Sequence, residues 1–407
     1  MSRVVVLGGG VIGLFVAREL LASGHEVTLL EGDDHAGTSA GNAGMIVPSH
    51  FVPLASPGML RAGLRMFLRR GAPLKLGWDG SPDATRWLLT YLDRANSERV
   101  RASAEPLVQL SLDSLRRYRT WAAQAGVAIG DQGLLMVARR QETLREEEEA
   151  AHLAQAHGLD VRVVDGEELR ALEPAIGPEA VGAVHFRDDA HVSPPQVLAA
   201  LRREVGPHVT FARVQGWRKG HRGVSAVSTD QGEIGGDVFV VAMGARSGLL
   251  LAEAGCAVPL LPGRGYGITL DPSPAAMPRV PALLMDDRVS VTPMLDGLRV
   301  TGGMEVGVWD KPVDRRRLDN LRLGLGRHYP GLRDLAWDEA RVWKGWRPLS
   351  PDGLPYIGRV ADNVFAATGH GMMGISLAPA TGAMIAALID GRSPAVDPLP
   401  FDPRRML

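Results

Sequence analysis

The chain has 407 residues, 45% of them apolar and 22% charged, with a net charge of −1. That length supports two or three structural units around a large core, and the balanced charge excludes a globally basic nucleic-acid binder. Cys256 is the single cysteine, so an intrachain disulfide and a thiolate metal cluster are excluded, and no metal site is expected.

The first apolar run, Val4 to Leu7, leads straight into glycines. A second apolar series follows at helical spacing: Val11, Ile12, Leu14, Phe15, Ala17, Leu20, Leu21. This pattern predicts a buried strand, a tight turn and a helix. Gly8, Gly10 and Gly13 fill G-x-G-x-x-G, in which the glycines permit the turn, the approach of a pyrophosphate and close helix–strand packing. Val11 and Ile12, at the start of the helix, join the anion site formed by its free N–H groups. The next strand, Glu26 to Glu31, ends in an acid placed to bind a ribose and to oppose a 2′-phosphate. The glycine pattern explains the N-terminal apolar run better than a signal peptide does. No stretch reaches about 18 uninterrupted apolar residues. The expected location is cytoplasmic, with a peripheral option on the inner face of the membrane.

That option comes from Met59 to Lys75, which is basic and amphipathic, with Arg61, Arg65 and Arg69 on one helix face. It reads either as a membrane-surface helix or as the solvated face of a domain helix. Before it lies a small, polar loop, Gly32 to Gly44, suited to close backbone approach. A proline-broken segment with Ser49 and His50 at its centre follows. Residues 83–95 and 98–125 read as helices, the second interrupted near Pro106. Leu134 to Ala138 reads as a strand. Glu142 to His157 reads as a helix whose run Glu146 to Glu149 is solvated, and Val161 to Val164 as a strand. Pro194 and Pro195 sit in the first turn of a helix to Val205. Val209 to Val214 reads as a strand, before a hairpin turning near Lys219. The strand beginning at Asp237 ends in small residues, so Ala242 and Gly244 are placed at a ligand edge. Segments 266–270, 289–293 and 298–301 read as antiparallel strands, and 318–329 as a helix. Near the C-terminus, Gly369-His-Gly-Met-Met-Gly374 opens a second helix, Ile375 to Leu388.

Two glycine loops that each open a helix, at opposite ends of the chain, call for a ligand with two ends. A flavin dinucleotide fits. Its pyrophosphate would lie on the first helix, and the edge of its ring that becomes anionic on reduction on the second.

Several blocks together resemble the D-amino-acid oxidase/glycine oxidase superfamily of FAD enzymes, above all its bacterial D-amino-acid dehydrogenase group. They are Gly8 to Gly13 with Glu31, Thr38 to Gly44 with Pro48, Ala242 to Ala245, Trp343 to Gly353, and Thr368 to Gly371. The resemblance implies an α/β architecture: a Rossmann-like FAD-binding domain from 1–50, 180–258 and 345–407, and an α+β substrate domain with an antiparallel sheet from 51–179 and 259–344. It implies oxidation of a D-amino acid to an imine and then a 2-oxo acid, by hydride transfer to flavin N5. A quinone or another carrier then takes the electrons.

By motif position Arg347 corresponds to the arginine that clamps the substrate carboxylate, the other reading being a structural ion pair. A tyrosine near Tyr266 contacts substrate in similar enzymes, the other reading being a core tyrosine. His370 either donates to the reduced flavin or caps the strand–helix turn, and His50 either faces the ring or has no part in the chemistry. The cofactor set is completed by Thr38, Ser39, Asn42, Ala43 and Gly44, by Val214 and Gly345, and by Gly369, Gly371, Met372, Met373 and Gly374. Four alternatives remain at this level, one of them an NAD-linked reductase. The enzyme could pass electrons to oxygen directly. Its substrate could be a cyclic imino acid such as D-proline or 4-hydroxy-D-proline. The chain could also be a non-catalytic flavin subunit of an electron-transfer complex.

Overall fold

The computed structural model describes all residues except 33–36, 52–73, 78–79, 221–222, 272, 274–275, 310–311, 336 and 407. The segment 59–73, carrying the three spaced arginines, lies outside the described residues. Among those described, no helix is long and apolar enough to cross a membrane, and no cluster of three or more His, Cys, Asp or Glu side chains is placed to hold a metal.

A six-stranded sheet carries both glycine loops. Its order is Val209–Phe211, Glu26–Glu31, Arg3–Leu7, Val238–Val241, Val364–Thr368, Tyr356–Ala361. All neighbours are parallel except the last pair. Val4 to Leu7 are at most 2% exposed, as continuous apolar strands covered on both faces require. Leu7 pairs with Val241, and Val241 with Ala366. The three central strands therefore deliver Gly8, Ala242 and Gly369 to one edge, their carboxyl ends.

Two helices cover one face of this sheet. Val11–Ala22 and Gly374–Ile389 cross so closely that a Cβ on Gly382 would stand 2.7 Å from the carbonyl oxygen of Phe15. That glycine lets the two helices lie side by side, which brings their N-termini to the same ligand edge.

The other large layer is a nine-stranded, mostly antiparallel sheet, running Arg341–Leu349, Leu261–Leu270, Gly297–Val306, Val289–Met294, Ala282–Leu284, Leu134–Ala138, Gly182–Phe186, Val161–Asp165, with Leu74–Leu76 paired to Gly297–Val306. Strand pairing shifts the expected boundaries. Gly182–Phe186 and the strand through Gly345 hydrogen-bond in this sheet, not in the cofactor sheet. Their local sequence does not distinguish the two partners, because either sheet buries an apolar run.

Helix Ser97–Ala125 runs unbroken through Pro106, against the expected interruption. Proline deprives the carbonyl four residues back, that of Ala102, of its partner. Ala102 is exposed, so water serves instead, while Ala104, Leu107, Val108 and Leu110 stay packed in the core. Asn96 caps the N-terminus by accepting the Arg99 N–H, and Gly126 ends the helix in the left-handed conformation at φ 68°.

Candidate active site

Between the two sheets lies a cavity of about 1910 Å³, well beyond the roughly 300–1,000 Å³ of an ordinary small-ligand pocket. Both glycine loops open into it. At Gly8 φ is +114°, and a Cβ would stand 2.5 Å from the Ala242 carbonyl oxygen; at Gly13 it would stand 1.8 Å from the Gly8 carbonyl oxygen. A Cβ at Gly10 meets only Ser39 Oγ, at 3.4 Å. The first and third glycines thus close the turn, and the second leaves the ligand approach open.

Glu31 reaches the cavity at the end of its strand, and its Oε1 accepts from Arg202 Nη2 at 2.6 Å. The loop below is held by its own side chains: Ser39 Oγ accepts the Val11 N–H at 3.1 Å, and Asn42 Oδ1 accepts the Gly44 N–H at 2.8 Å. Thr38 Oγ1 donates to the Trp346 carbonyl at 3.2 Å, and Arg299 Nη1 donates to the carbonyls of Ala40 and Asn42, both at 3.1 Å. Arg299 and the Trp343–Leu349 strand thereby tie the cofactor loop to the substrate sheet.

At the far end Met372, Met373, Gly374 and Ile375 line the cavity with the first turn of the last helix, whose N–H groups lack intrahelical partners. His370 is fixed in one tautomer. Thr381 Oγ1 donates to the Leu377 carbonyl, so it accepts from His370 Nε2–H at 2.9 Å. His370 Nδ1 is then an acceptor without a partner among the described residues, and burial lowers the ring's pKa to about 3. An anionic group placed at this turn would therefore meet backbone N–H donors and not a donor from the His370 side chain.

Arg347 lines the same cavity. Its Nη1 donates to the Gly303 carbonyl at 3.0 Å, and among the described residues no carboxylate lies within salt-bridge distance. Burial lowers its pKa to about 10, which leaves it cationic at neutral pH. Its space comes from a bare strand face: Gly263, Gly265 and Gly267 alternate along Leu261–Leu270, and a Cβ at Gly265 would stand 2.4 Å from the Arg347 guanidinium carbon. With side chains alternating across a strand, Arg264, Tyr266 and Ile268 point the other way.

Tyr266 is therefore not a site residue. It is 0% exposed, its hydroxyl donates to Glu305, and Glu305 also binds Arg264 inside the core. Four expected cofactor glycines also stand behind the cavity wall. Gly13 packs on Gly8, Gly44 on the Val192 carbonyl, Gly345 beneath the Trp343 indole, and Gly369 against Tyr356. The other expected positions, including Val214, Ala242, Gly244, Ala43 and His50, line the cavity.

Some lining residues escaped the sequence reading. Glu147, in the run read as solvated, is buried and lines the cavity with Glu146; burial raises its pKa. Its signal was present, since Thr143, Leu144, Glu147, Ala151 and Ala154 form one helical stripe. Arg288, Met285, Ser290, Thr301 and Met304 also line it, and Arg288 has a left-handed φ of 55°.

A family model described as FAD dependent oxidoreductase, DAO, matches residues 3–388. The D-amino acid dehydrogenase of Rhizorhabdus wittichii is 31% identical to this chain over 408 residues, covering 97% of this chain and 98% of that protein. The D-amino-acid oxidase of Bradyrhizobium diazoefficiens is 31% identical, covering 100% and 99%. Among solved structures, glycine oxidase from Geobacillus kaustophilus superposes with a TM-score of 0.78 at 23% identity, covering 99% of this chain and 98% of that one.

Proposed function

The chain belongs to the DAO family of FAD-dependent oxidoreductases and acts on amino acids, and from that premise we propose that it oxidises a D-amino acid to its imine and passes the electrons to a quinone or another carrier. FAD, when bound, supplies the acceptor for the hydride that leaves Cα. The Gly8–Gly13 turn and Glu31 would hold its nucleotide half, and the Met372–Ile375 turn its ring.

The observation that carries this reading is Arg347, a half-buried cation that lines the cavity and whose partner among the described residues is the Gly303 carbonyl. A desolvated guanidinium favours a planar anion that it can bind through two N–H groups. The substrate's α-carboxylate is such an anion, and fixing it fixes the direction of the Cα–H bond. Hydrolysis of the released imine by water then gives the 2-oxo acid and ammonia.

Anaerobic flavin bleaching by paired D- and L-amino acids, with D-proline and 4-hydroxy-D-proline included, tests the substrate class. D-amino acids are expected to bleach the flavin. Bleaching by L-isomers alone would overturn the stereochemistry, and bleaching by the ring imino acids alone would move the substrate class to them. Reoxidation by a quinone analogue without peroxide formation in air is the expected acceptor behaviour. Stoichiometric peroxide would make the enzyme an oxidase.

A further inference from the structure

Ser49 and Asp189 lie 140 residues apart and have no part in the scheme above. A small sheet brings them together. Met45–Ile46 pairs antiparallel with Ala190–Val192, with Met45 opposite His191 and Ile46 opposite Ala190. Extending that register by one residue sets Val47 opposite Asp189, and the turn closed by the His50 N–H on the Val47 carbonyl, 3.0 Å, folds Ser49 back over the carboxylate. Ser49 Oγ donates to Asp189 Oδ2 at 2.5 Å, its N–H donates to Oδ1 at 3.1 Å, and Oγ lies 3.1 Å from His50 Nδ1. Asp189 is 1% exposed. His50 lines the cavity, and its Nε2 has no hydrogen-bond partner among the described residues.

The result is a line of carboxyl, hydroxyl and imidazole whose last member lines the cavity and has Nε2 as its far end. Such a line has two proton arrangements. With Asp189 ionised, Ser49 donates to it, His50 Nδ1–H donates to Ser49, and Nε2 offers a lone pair. With Asp189 protonated, every donor reverses, and Nε2 carries the hydrogen.

We propose that His50, Ser49 and Asp189 form a proton relay that removes a proton from the substrate's ammonium group and stores it on Asp189. The proposal rests on the amine-oxidation reading above, because an ammonium nitrogen has no lone pair with which to expel the α-hydride. One proton leaves the ammonium nitrogen for Nε2, one leaves Nδ1 for Ser49 Oγ, and one leaves Ser49 Oγ for Asp189 Oδ2. The substrate becomes a neutral amine, the carboxylate becomes a neutral acid, and the ring ends uncharged.

Burial favours that end state. It lowers His50 to about 4, so the ring does not keep the proton, and raises Asp189 to about 8, so the carboxyl does. A base is most effective with its pKa near the working pH. Asp188 beside Asp189 adds to the upward shift. The cavity wall carries other titratable groups, among them Glu146, Glu147, Arg288, Arg347 and His370, and burial is the one cause of the His50 shift.

The test uses the FAD-loaded protein with ¹⁵N-labelled histidine, as wild type, Asp189→Asn and Ser49→Ala, with His50→Gln to assign the signal. In the wild type the His50 ring is expected to change from Nε2–H to Nδ1–H as the pH rises through about 8, following Asp189. In both variants it is expected to keep one tautomer. In stopped-flow flavin reduction by the best D-substrate, both variants are expected to be about 10²-fold slower near pH 8, where much of Asp189 is ionised and the substrate is still an ammonium. They converge on the wild type at alkaline pH, where the substrate amine is already neutral.

A wild-type ring that never changes tautomer, or one that changes equally in the variants, overturns the relay. So does a rate loss that persists undiminished at alkaline pH, since that would mark a structural lesion. If no amino or imino acid bleaches the flavin, the functional reading fails, while the tautomer measurement still decides whether the three side chains are coupled.

Discussion

Replacing Gly265 by alanine tests the substrate clamp without touching the clamp itself. The backbone at Gly265 is not in the left-handed region, so alanine adds no strain there. The new methyl would stand 2.4 Å from the Arg347 guanidinium carbon, where ordinary contact begins at 3.4 Å. Arg347 must retreat by about 1 Å, the difference between those distances. That retreat breaks the 3.0 Å bond to the Gly303 carbonyl and moves the carboxylate by a similar amount. A misplacement of about 1 Å can cost roughly 10²-fold in rate, or about 2.7 kcal/mol of transition-state stabilisation at 1.36 kcal/mol per decade. The assay is steady-state kcat/KM with a dye acceptor on purified protein, with FAD content read from its visible absorbance. Full FAD occupancy with kcat/KM reduced by about two decades is expected. A kcat/KM within threefold of wild type would refute the placement of the carboxylate on Arg347.

Arg347→Ala should raise KM by at least about 10²-fold with FAD retained, and Arg347→Lys should recover only part, because an ammonium lacks the planar fork; an unchanged KM for either removes the residue from the site. Tyr266→Phe should lower the melting temperature, losing a buried hydrogen bond worth about 1 kcal/mol, and leave KM unaltered; a KM effect without a stability effect would return the residue to the site. Asp189 has a folded pKa raised to about 8 against about 3.9 unfolded. Between those values the native state holds a proton that the unfolded chain has lost, so wild-type stability falls by up to about 1.4 kcal/mol per pH unit. Asp189→Asn should therefore gain stability relative to wild type from about pH 4 to pH 8, and urea unfolding at the two ends giving equal differences would contradict the shift.

Much of the frame was written locally. The run from Val4 to Gly13 specifies strand, turn and helix through apolar spacing and through contacts that admit no side chain. Leu134–Ala138 appears with the bounds its composition suggests. The misreadings came where a neighbour decides. Tyr266 sits beside a glycine that faces the Arg347 guanidinium, and period-two alternation sends it to the opposite face. The repeat Gly263, Gly265, Gly267 was the available sign of which face is bare. Glu147 stood inside an acidic run, yet shares a helical stripe with Leu144 and Ala151. Ser49 and Asp189 carry no local pattern at all. Only the register of two short strands joins them, and register between segments 140 residues apart is a tertiary property.

The close crossing of Phe15 and Gly382 has a consequence for assembly. The two turns that would hold the cofactor's ends are separated by more than 350 positions, and the strand Val364–Thr368 lies between the sheet's first strands and its edge. A nascent chain can pair its first two strands early, but it has neither the strand nor the helix that completes the cradle until its last stretch has been synthesised. With both turns needed to hold FAD, its capture is expected only after the last helix has formed, and flavin absorbance in a preparation would then report that the two ends of the polypeptide have closed on each other.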